Sequence, residues 1–311
     1  MPQLIMLIGV AGSGKSTWAK EYCNDALDFG NRTIIVSSDA IRKELFGDES
    51  DQTHNAEVFE EAHRRIHNAL YTYDTVIYDA TNLNRKRRTA FLRTLHCNCY
   101  KKAVVFPITD KQVIKRMELR KRKVPLHAIN RQFRQMEFPQ WYEGWDEIDV
   151  HLDPENMISY MEVFDECNLP HRNHHHTLDI IPHMIAVGSH FAQKNYPQWL
   201  EEAALLHDCG KGFAREFLNT KGEITEEAHY YGHEHYGAQL SLLLPTADNT
   251  LYSILARAQL IDLHMEPLRL SEENLRKLYD LIDRNKLDSR EYSSIESWML
   301  KDLHMYDGLE A

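Results

Sequence analysis

Nine residues, Gly9-Val-Ala-Gly-Ser-Gly-Lys-Ser-Thr17, restrict this chain more than any other stretch. They follow an apolar run, Leu4-Ile5-Met6-Leu7-Ile8, and precede a segment with helical spacing, Trp18-Ala19-Lys20-Glu21-Tyr22. Strand, glycine-rich loop and helix form the setting in which G-x-x-x-x-G-K-[ST] reads as a phosphate-binding loop. Gly9, Gly12 and Gly14 let the backbone turn tightly, so that N–H groups of Ala11, Ser13 and Thr17 can aim at phosphate oxygens. The helix N-terminus adds its partial positive charge. Lys15 is expected to reach the β- and γ-phosphates, and the Ser16 hydroxyl to bind Mg²⁺. The chain is therefore expected to bind a nucleoside triphosphate.

Such a loop belongs to a parallel sheet. Up to about residue 150, strand-like runs at 3–9, 32–37, 74–79, 101–107 and 147–152 alternate with helical stretches at 15–26, 54–72, 84–96, 110–121 and 126–137. Continuous β-branched runs between helices predict an α/β domain whose parallel sheet is covered on both faces. Ligands of such sheets sit at the carboxyl ends of the strands. From about residue 168 the chain changes character, with helical patterns at 179–193, 199–208, 233–244, 250–264, 271–284 and 293–306. The expected organisation is an α/β domain at 1–152, a linker at 153–167 around Asp153-Pro154-Glu155-Asn156, and an all-α domain at 168–311.

Asp39 ends the run Ile34-Ile35-Val36-Ser37-Ser38 beside the phosphate loop, with Arg42 one turn later. A carboxylate there could take a proton from an attacking hydroxyl while the arginine orients a phosphate. A helix N-cap is the plainer role for Asp39. Asp79-Ala-Thr-Asn-Leu-Asn84 ends another strand, either as a polar terminus or as a carboxylate beside the triphosphate. Basic clusters follow at Arg85 to Arg88 and at Lys111, Lys115, Arg116, Arg120, Lys121, Arg122 and Lys123. Arg116 and Arg120 are four apart and share a helix face. Such a run is usually a solvated face, but it can also serve as an arginine-rich lid over a triphosphate.

These features, taken in order across about 150 residues, resemble the phage-type polynucleotide 5′-hydroxyl kinases. The resemblance is carried by the loop continuing into Ser-Thr-Trp-Ala-Lys-Glu, by Asp39 with Arg42, by Asp79 with Thr81-Asn82-Leu83-Asn84 and Arg87-Arg88, and by Lys115-Arg116 with Arg120 and Val124-Pro125. It implies transfer of the γ-phosphate of ATP to a 5′-hydroxyl end of RNA or DNA. Lys15 and Ser16 would hold phosphates and metal, Asp39 would be the general base, and Arg42, Asp79, Asn82 and Arg87 would lie on the acceptor side. Arg120 or Arg122 would be the lid arginine.

Eighteen histidines are many for 311 residues, and those of the second half are patterned. His207-Asp208 lies in Ala-Ala-Leu-Leu-His-Asp-Cys-Gly-Lys. His183 lies upstream, and Gly232-His233-Glu234, His264-Met-Glu-Pro267 and Asp307 downstream. Imidazole and carboxylate ligands drawn from separate helices suit a catalytic divalent-metal site. This order resembles the HD phosphohydrolase superfamily over roughly 170–311. The resemblance implies a first metal set of His183, His207, Asp208 and Asp307, with His233 and His264 completing a second and Lys211 on substrate phosphate. Asp208 would be the central catalytic carboxylate and the ions Mn²⁺ or Ni²⁺. His176 competes with His183, His235 with His233, and Asp302 with Asp307.

The net charge of −11 hides an asymmetry: residues 1–152 carry a net +3 and the remainder −14. That argues against duplex binding by charge alone while leaving room for a local basic groove. Five scattered cysteines suit a reducing compartment, with Cys97 and Cys99 read as alternate positions on a strand. No apolar run approaches a membrane span or a signal peptide, so the expectation is a cytoplasmic chain without membrane attachment. The combined reading is a bifunctional end-healing enzyme. It would phosphorylate 5′-hydroxyl ends and remove 2′,3′-cyclic, 2′- or 3′-phosphate from the opposite end, RNA being the expected substrate and a ligase the expected follow-on partner. Two other readings are a small-molecule kinase fused to a nucleotide phosphohydrolase, and a non-catalytic ATP-gated nucleotide sensor.

Overall fold

Strands that are apolar at every position must be covered on both faces, and the first strand meets that demand. In β1 (Gln3–Ile8) the residues Leu4 to Ile8 are all buried. The computed structural model describes residues 1–266 other than 121–122, 174–177, 194–195 and 247–249. The described residues divide into two compact units.

The first unit contains β1, α1 (Lys15–Asp28), β2 (Thr33–Ser37), α2 (Ser38–Phe46), α3 (Asn55–Ala69), β3 (Thr75–Asp79), α4 (Arg85–Arg93) and β4 (Tyr100–Val105). The chain continues through α5 (Asp110–Glu118) and α6 (Leu126–Gln135) to β5 (Glu147–Val150). The five strands form one sheet in the order β2-β3-β1-β4-β5, each pair parallel. The α/β expectation is met for this unit. Ile5, Leu7, Ala19, Ile77, Val104 and Phe106 form a core against which Trp18 and Tyr22 of α1 pack. Burying each such aliphatic side chain contributes roughly 1.5–3 kcal/mol. Because all strands run the same way, the ends of β1, β2 and β3 deliver the phosphate loop, Asp39 and Asp79 to one edge of the sheet.

The helix α2 was not expected in this extent, because nine residues between a strand and a loop give too short a periodic signal, although a cap near Asp39 was. Its ends are nonetheless well marked. The Ser37 side chain accepts from the N–H of Ala40, and Gly47 closes the helix in the left-handed region at φ 78°. Ser37, not Asp39, is thus the N-cap. Cys97 and Cys99 lie in the turn before β4 rather than on a strand, and all five cysteines are free.

Arg88 of α4 is buried, and it donates through Nε and Nη2 to both oxygens of Glu143 at 2.8 Å. Its Nη1 donates to the carbonyls of Asn82 and Leu83. One guanidinium therefore fixes the turn that follows β3.

The second unit takes residues 107–112, 130–140 and the described residues from 152 onward. Two stretches upstream of the expected boundary at 152 therefore cluster with it. The expected linker carries α7 (Tyr160–Cys167), started by a reciprocal cap between Ser159 and Glu162. Then follow α8 (Ile180–Ala192), α9 (Gln198–Leu206), α10 (Lys211–Ala214), a hairpin of β6 (Glu216–Leu218) and β7 (Ile224–His229), α11 (His233–Leu243) and α12 (Leu251–Leu263). The unit is helical but not all-α. The hairpin escapes a pattern search because only Ala228 of β7 is buried, which leaves no apolar alternation to read. The helices expected at 271–284 and 293–306 lie outside the described residues.

Arg257 of α12 ties this unit together. Wholly buried, it donates to Glu202 at 2.6 Å and to the carbonyls of Ser241 and Leu244 at the end of α11. Gly210 lets two segments meet closely: a Cβ there would lie 2.0 Å from the carbonyl oxygen of His233.

Replacing Arg88 with alanine leaves the Glu143 carboxylate buried without its cation, a change that costs about 3–5 kcal/mol. Urea unfolding of the full chain is expected to show that loss. Glu143→Gln, which keeps a polar acceptor without the charge, is expected to cost less.

Candidate phosphate and metal sites

The loop after β1 has the backbone its glycines permit. Gly12 and Gly14 have φ of 90° and 103°, a region that residues with a Cβ avoid. Gly9 is required sterically, since a Cβ would lie 2.7 Å from Ser13 Oγ and 3.2 Å from Phe106. Lys15, at the start of α1, is buried and curls back over the loop. Its Nζ donates to the carbonyls of Gly9 and Val10 at 2.8 and 2.7 Å. Burial lowers its pKa to about 8, with Asp79 opposing the shift, Arg120 adding to it and Asp39 opposing it. Asp39, Asp79 and Arg120 thus all act on the same ammonium.

Ser16 donates to Asp79 at 2.8 Å, joining the loop to the end of β3. Asn82, at φ 47°, donates to the carbonyl of Leu7, and the N–H of Gly9 donates to the carbonyl of Thr81. The turn after β3 therefore braces the phosphate loop directly. Across the sheet edge, buried Arg42 donates to the half-exposed carboxylate of Asp39 at 2.6 Å and to Asn55 at 3.1 Å. Arg116 donates to the carbonyl of Ser13. Arg120, one turn on, is exposed, as is Arg87 on α4. Arg122 lies outside the described residues. Sequence reasoning missed Asn55, which no motif marks, and the structural use of Arg88, whose buried partner Glu143 lies far along the chain. A site made of backbone donors, a lysine, a hydroxyl and a nearby carboxylate suits a nucleoside triphosphate with Mg²⁺.

The second constellation is more enclosed. His183 comes from α8, His207 and Asp208 follow α9, His233 opens α11 and His264 follows α12; all five are buried. Asp208 Oδ2 lies 3.3 Å from Nε2 of both His183 and His207. Its Oδ1 lies 3.2 Å from Nε2 of His233 and 3.8 Å from that of His264. Two three-residue groups, His183-His207-Asp208 and Asp208-His233-His264, therefore share one carboxylate, and each could hold a metal ion.

The proton positions test that fit. Nδ1 of His233 sits 2.8 Å from the carbonyl of Tyr230, and Nδ1 of His264 sits 2.7 Å from that of Ile261. Each Nδ1 must carry a proton to make that contact, so each neutral ring presents only a lone pair at Nε2. Yet these two Nε2 atoms are 3.1 Å apart. Burial pushes the His264 pKa down to about 3, with His233 and His207 adding to the fall, so a proton on His264 is not what relieves the opposition. Two lone pairs facing each other beside a carboxylate are the donor set a cation satisfies, and imidazole nitrogens with a carboxylate suit Zn²⁺, Mn²⁺, Fe²⁺ or Ni²⁺.

Lys211 donates to Asp208 Oδ2 at 2.7 Å and to His171 Nε2 at 3.2 Å. His235 is engaged elsewhere: its Nδ1 lies 2.8 Å from Asp262, whose Oδ1 also accepts from the N–H of Phe138. His176, Asp302 and Asp307 lie outside the described residues. His171 went unnoticed because the run His174-His175-His176 beside it drew the comparison.

Residues 4–139 match the AAA domain family. Together with the sheet and loop, that match gives this part the α/β fold of a P-loop kinase-like domain. The chain is 26% identical over 164 residues to the L-seryl-tRNA(Sec) kinase of Methanococcus maripaludis, which covers 52% of this chain and 64% of that protein. Among solved structures, a chain of the Pnkp1/Rnl/Hen1 RNA repair complex is 24% identical, with a TM-score of 0.39. That match covers 43% of this chain and 44% of the other. A gluconokinase from Sinorhizobium meliloti 1021 is 19% identical, with a TM-score of 0.34, and the match covers 48% and 81%. The chain spans less than two thirds of the tRNA kinase and of the repair-complex chain. Among the described residues, no helix is long and apolar enough to cross a membrane.

Dialysis of the purified chain against Mn²⁺ or Ni²⁺ should leave up to two ions bound, and His264→Ala should lose one of them. Binding is expected to stabilise the fold by about 2.7 kcal/mol at a hundredfold excess over Kd. Metal analysis and thermal unfolding check this; no retained metal and no shift in melting would remove the assignment.

Proposed function

We propose that the chain heals broken nucleic-acid strands, phosphorylating 5′-hydroxyl ends in its first unit and removing 3′-terminal phosphates in its second. The observation that carries this reading is the shared carboxylate Asp208 between two histidine pairs. A buried metal-ligand set of that kind, on the same chain as a phosphate loop, supplies a second phosphorus chemistry that a simple kinase does not need.

In the kinase step, Lys15 and the loop N–H groups hold the β- and γ-phosphates of ATP. Ser16, positioned by Asp79, would hold Mg²⁺. Asp39 takes the proton from the 5′-hydroxyl as its oxygen attacks the γ-phosphorus and the bond to ADP breaks. Arg42, which holds the Asp39 carboxylate in place through a 2.6 Å hydrogen bond, engages the acceptor's own phosphate. Asn82 and Arg87 line the acceptor side, and Arg120 closes over the transferred group. Charge that builds on the phosphoryl oxygens is offset by positioned cations, the largest contribution in this class of reaction.

In the second unit, the set of His183, His207, Asp208, His233 and His264 would hold one or two divalent transition ions, and Asp307, outside the described residues, is expected to add a further ligand. Such ions, when bound, polarise phosphoryl oxygens as Lewis acids. Lys211 offers its ammonium to the terminal phosphate, and the histidines keep their Nε2 lone pairs directed inward. The acceptor would be RNA, with a nucleic-acid ligase acting on the healed ends. The similarity to an L-seryl-tRNA(Sec) kinase favours a second reading, in which the acceptor hydroxyl belongs to an aminoacyl group on tRNA rather than to a strand end.

Asp39→Ala is expected to lower transfer of labelled phosphate from ATP to a 5′-hydroxyl oligonucleotide by at least about 10²-fold. Asp208→Ala should abolish phosphate release from 3′-phosphate or cyclic-phosphate ends while leaving transfer intact. No transfer by the unaltered chain to an oligonucleotide, with transfer to seryl-tRNA instead, would favour the second reading. Unchanged transfer by Asp39→Ala would reject the kinase assignment.

A further inference from the structure

Lys211 stands beside the metal-ligand set with two named partners of different charge, and that difference has a chemical meaning. One partner is the Asp208 carboxylate, at 2.7 Å. The other is the imidazole of His171, whose Nε2 lies 3.2 Å from Nζ. His171 is itself buried, and its Nδ1 lies 2.5 Å from the carbonyl of Leu178. That contact requires the proton to sit on Nδ1, which leaves Nε2 as a pure acceptor for the ammonium. The backbone carbonyl of His171 accepts in turn from the Tyr230 hydroxyl, and the Tyr230 ring lies 5.6 Å from Lys211 Nζ.

We propose that His171 is a positioning residue: a neutral acceptor that holds the Lys211 ammonium against the metal-ligand set without cancelling its charge, so that a phosphate group can be held there. The inference rests on the reading of Lys211 as a phosphate contact. A lysine this deeply buried needs acceptors, because an ammonium stripped of water is costly unless hydrogen-bonded. A second carboxylate would meet that need but would place another negative charge beside the incoming phosphate. An imidazole with its proton fixed on the far nitrogen meets the same need with no added charge. Substitutions at 171 can therefore separate two properties that a purely structural residue would lose together. Glutamine keeps a neutral acceptor, glutamate keeps an acceptor but adds charge, and alanine removes the acceptor.

The test uses the full chain loaded with Mn²⁺ and inorganic phosphate as the probe. Phosphate affinity is measured by titration calorimetry, with metal content and melting temperature determined for each variant. His171→Gln is expected to bind phosphate within about threefold of the unaltered chain, His171→Ala about tenfold more weakly, and His171→Glu about thirtyfold or more weakly. Metal content should be the same in all four proteins. Phosphate binding by His171→Glu equal to that of His171→Gln would overturn the proposal, as would binding by His171→Ala equal to that of the unaltered chain. Loss of metal in all three variants would overturn it too, since His171 would then be part of the metal cage. Failure of the unaltered, metal-loaded chain to bind phosphate would remove both the proposal and the Lys211 reading. If phosphate affinity divides as expected but the unaltered chain releases no phosphate from oligonucleotides, the end-healing function fails and the role of His171 stands.

Discussion

A carboxylate taken out of water must meet its counter-charges where it stands, and both units of this chain are organised around that requirement. In the first, Glu143 is satisfied by Arg88, and the arginine's remaining donors hold the turn at Asn82 and Leu83. That turn reaches the phosphate loop through Asn82 to Leu7 and through Thr81 to Gly9. In the second, Asp208 is the hub, with Lys211 on one oxygen and histidine nitrogens around both. The same electrostatic demand builds a scaffold in one place and a candidate metal site in the other.

How much of this was legible depended on whether a residue's role is local. The phosphate loop is a contiguous string whose glycines, lysine and serine act on one another's backbone, so its position and chemistry could be read directly. The parallel strands were legible because most carry a short apolar or β-branched run, such as Leu4 to Ile8 in β1 and Thr75 to Tyr78 in β3, set between helical stretches. The histidine set could be ordered along the chain by resemblance, although its geometry could not. That Asp208 would divide its two oxygens between two histidine pairs follows only from how α8, α9, α11 and α12 pack.

Roles set by distant contacts were hidden. Arg88 was read with Arg87 as part of the kinase resemblance, but its bracing role was hidden because its partner lies 55 positions away. His171 lies beside a histidine triplet and 40 positions from the lysine it touches. Asn55, 13 positions beyond Arg42, belongs to no motif. Short elements were hidden for a different reason. The helix α2 and the β6–β7 hairpin are too brief or too polar to impose a period, and their ends are fixed by Ser37, Gly47 and the ion pair of Arg134 with Glu216.

The second unit draws residues 107–112 and 130–140 from within the stretch that otherwise supplies the first. Phe133 stacks on Tyr236, and Phe138 donates its backbone N–H to Asp262, the partner of His235. A fragment begun after residue 152 would lack these pieces and expose the aromatic face they cover. The two halves are thus interleaved along the polypeptide, and a single scissor cut cannot yield two intact proteins.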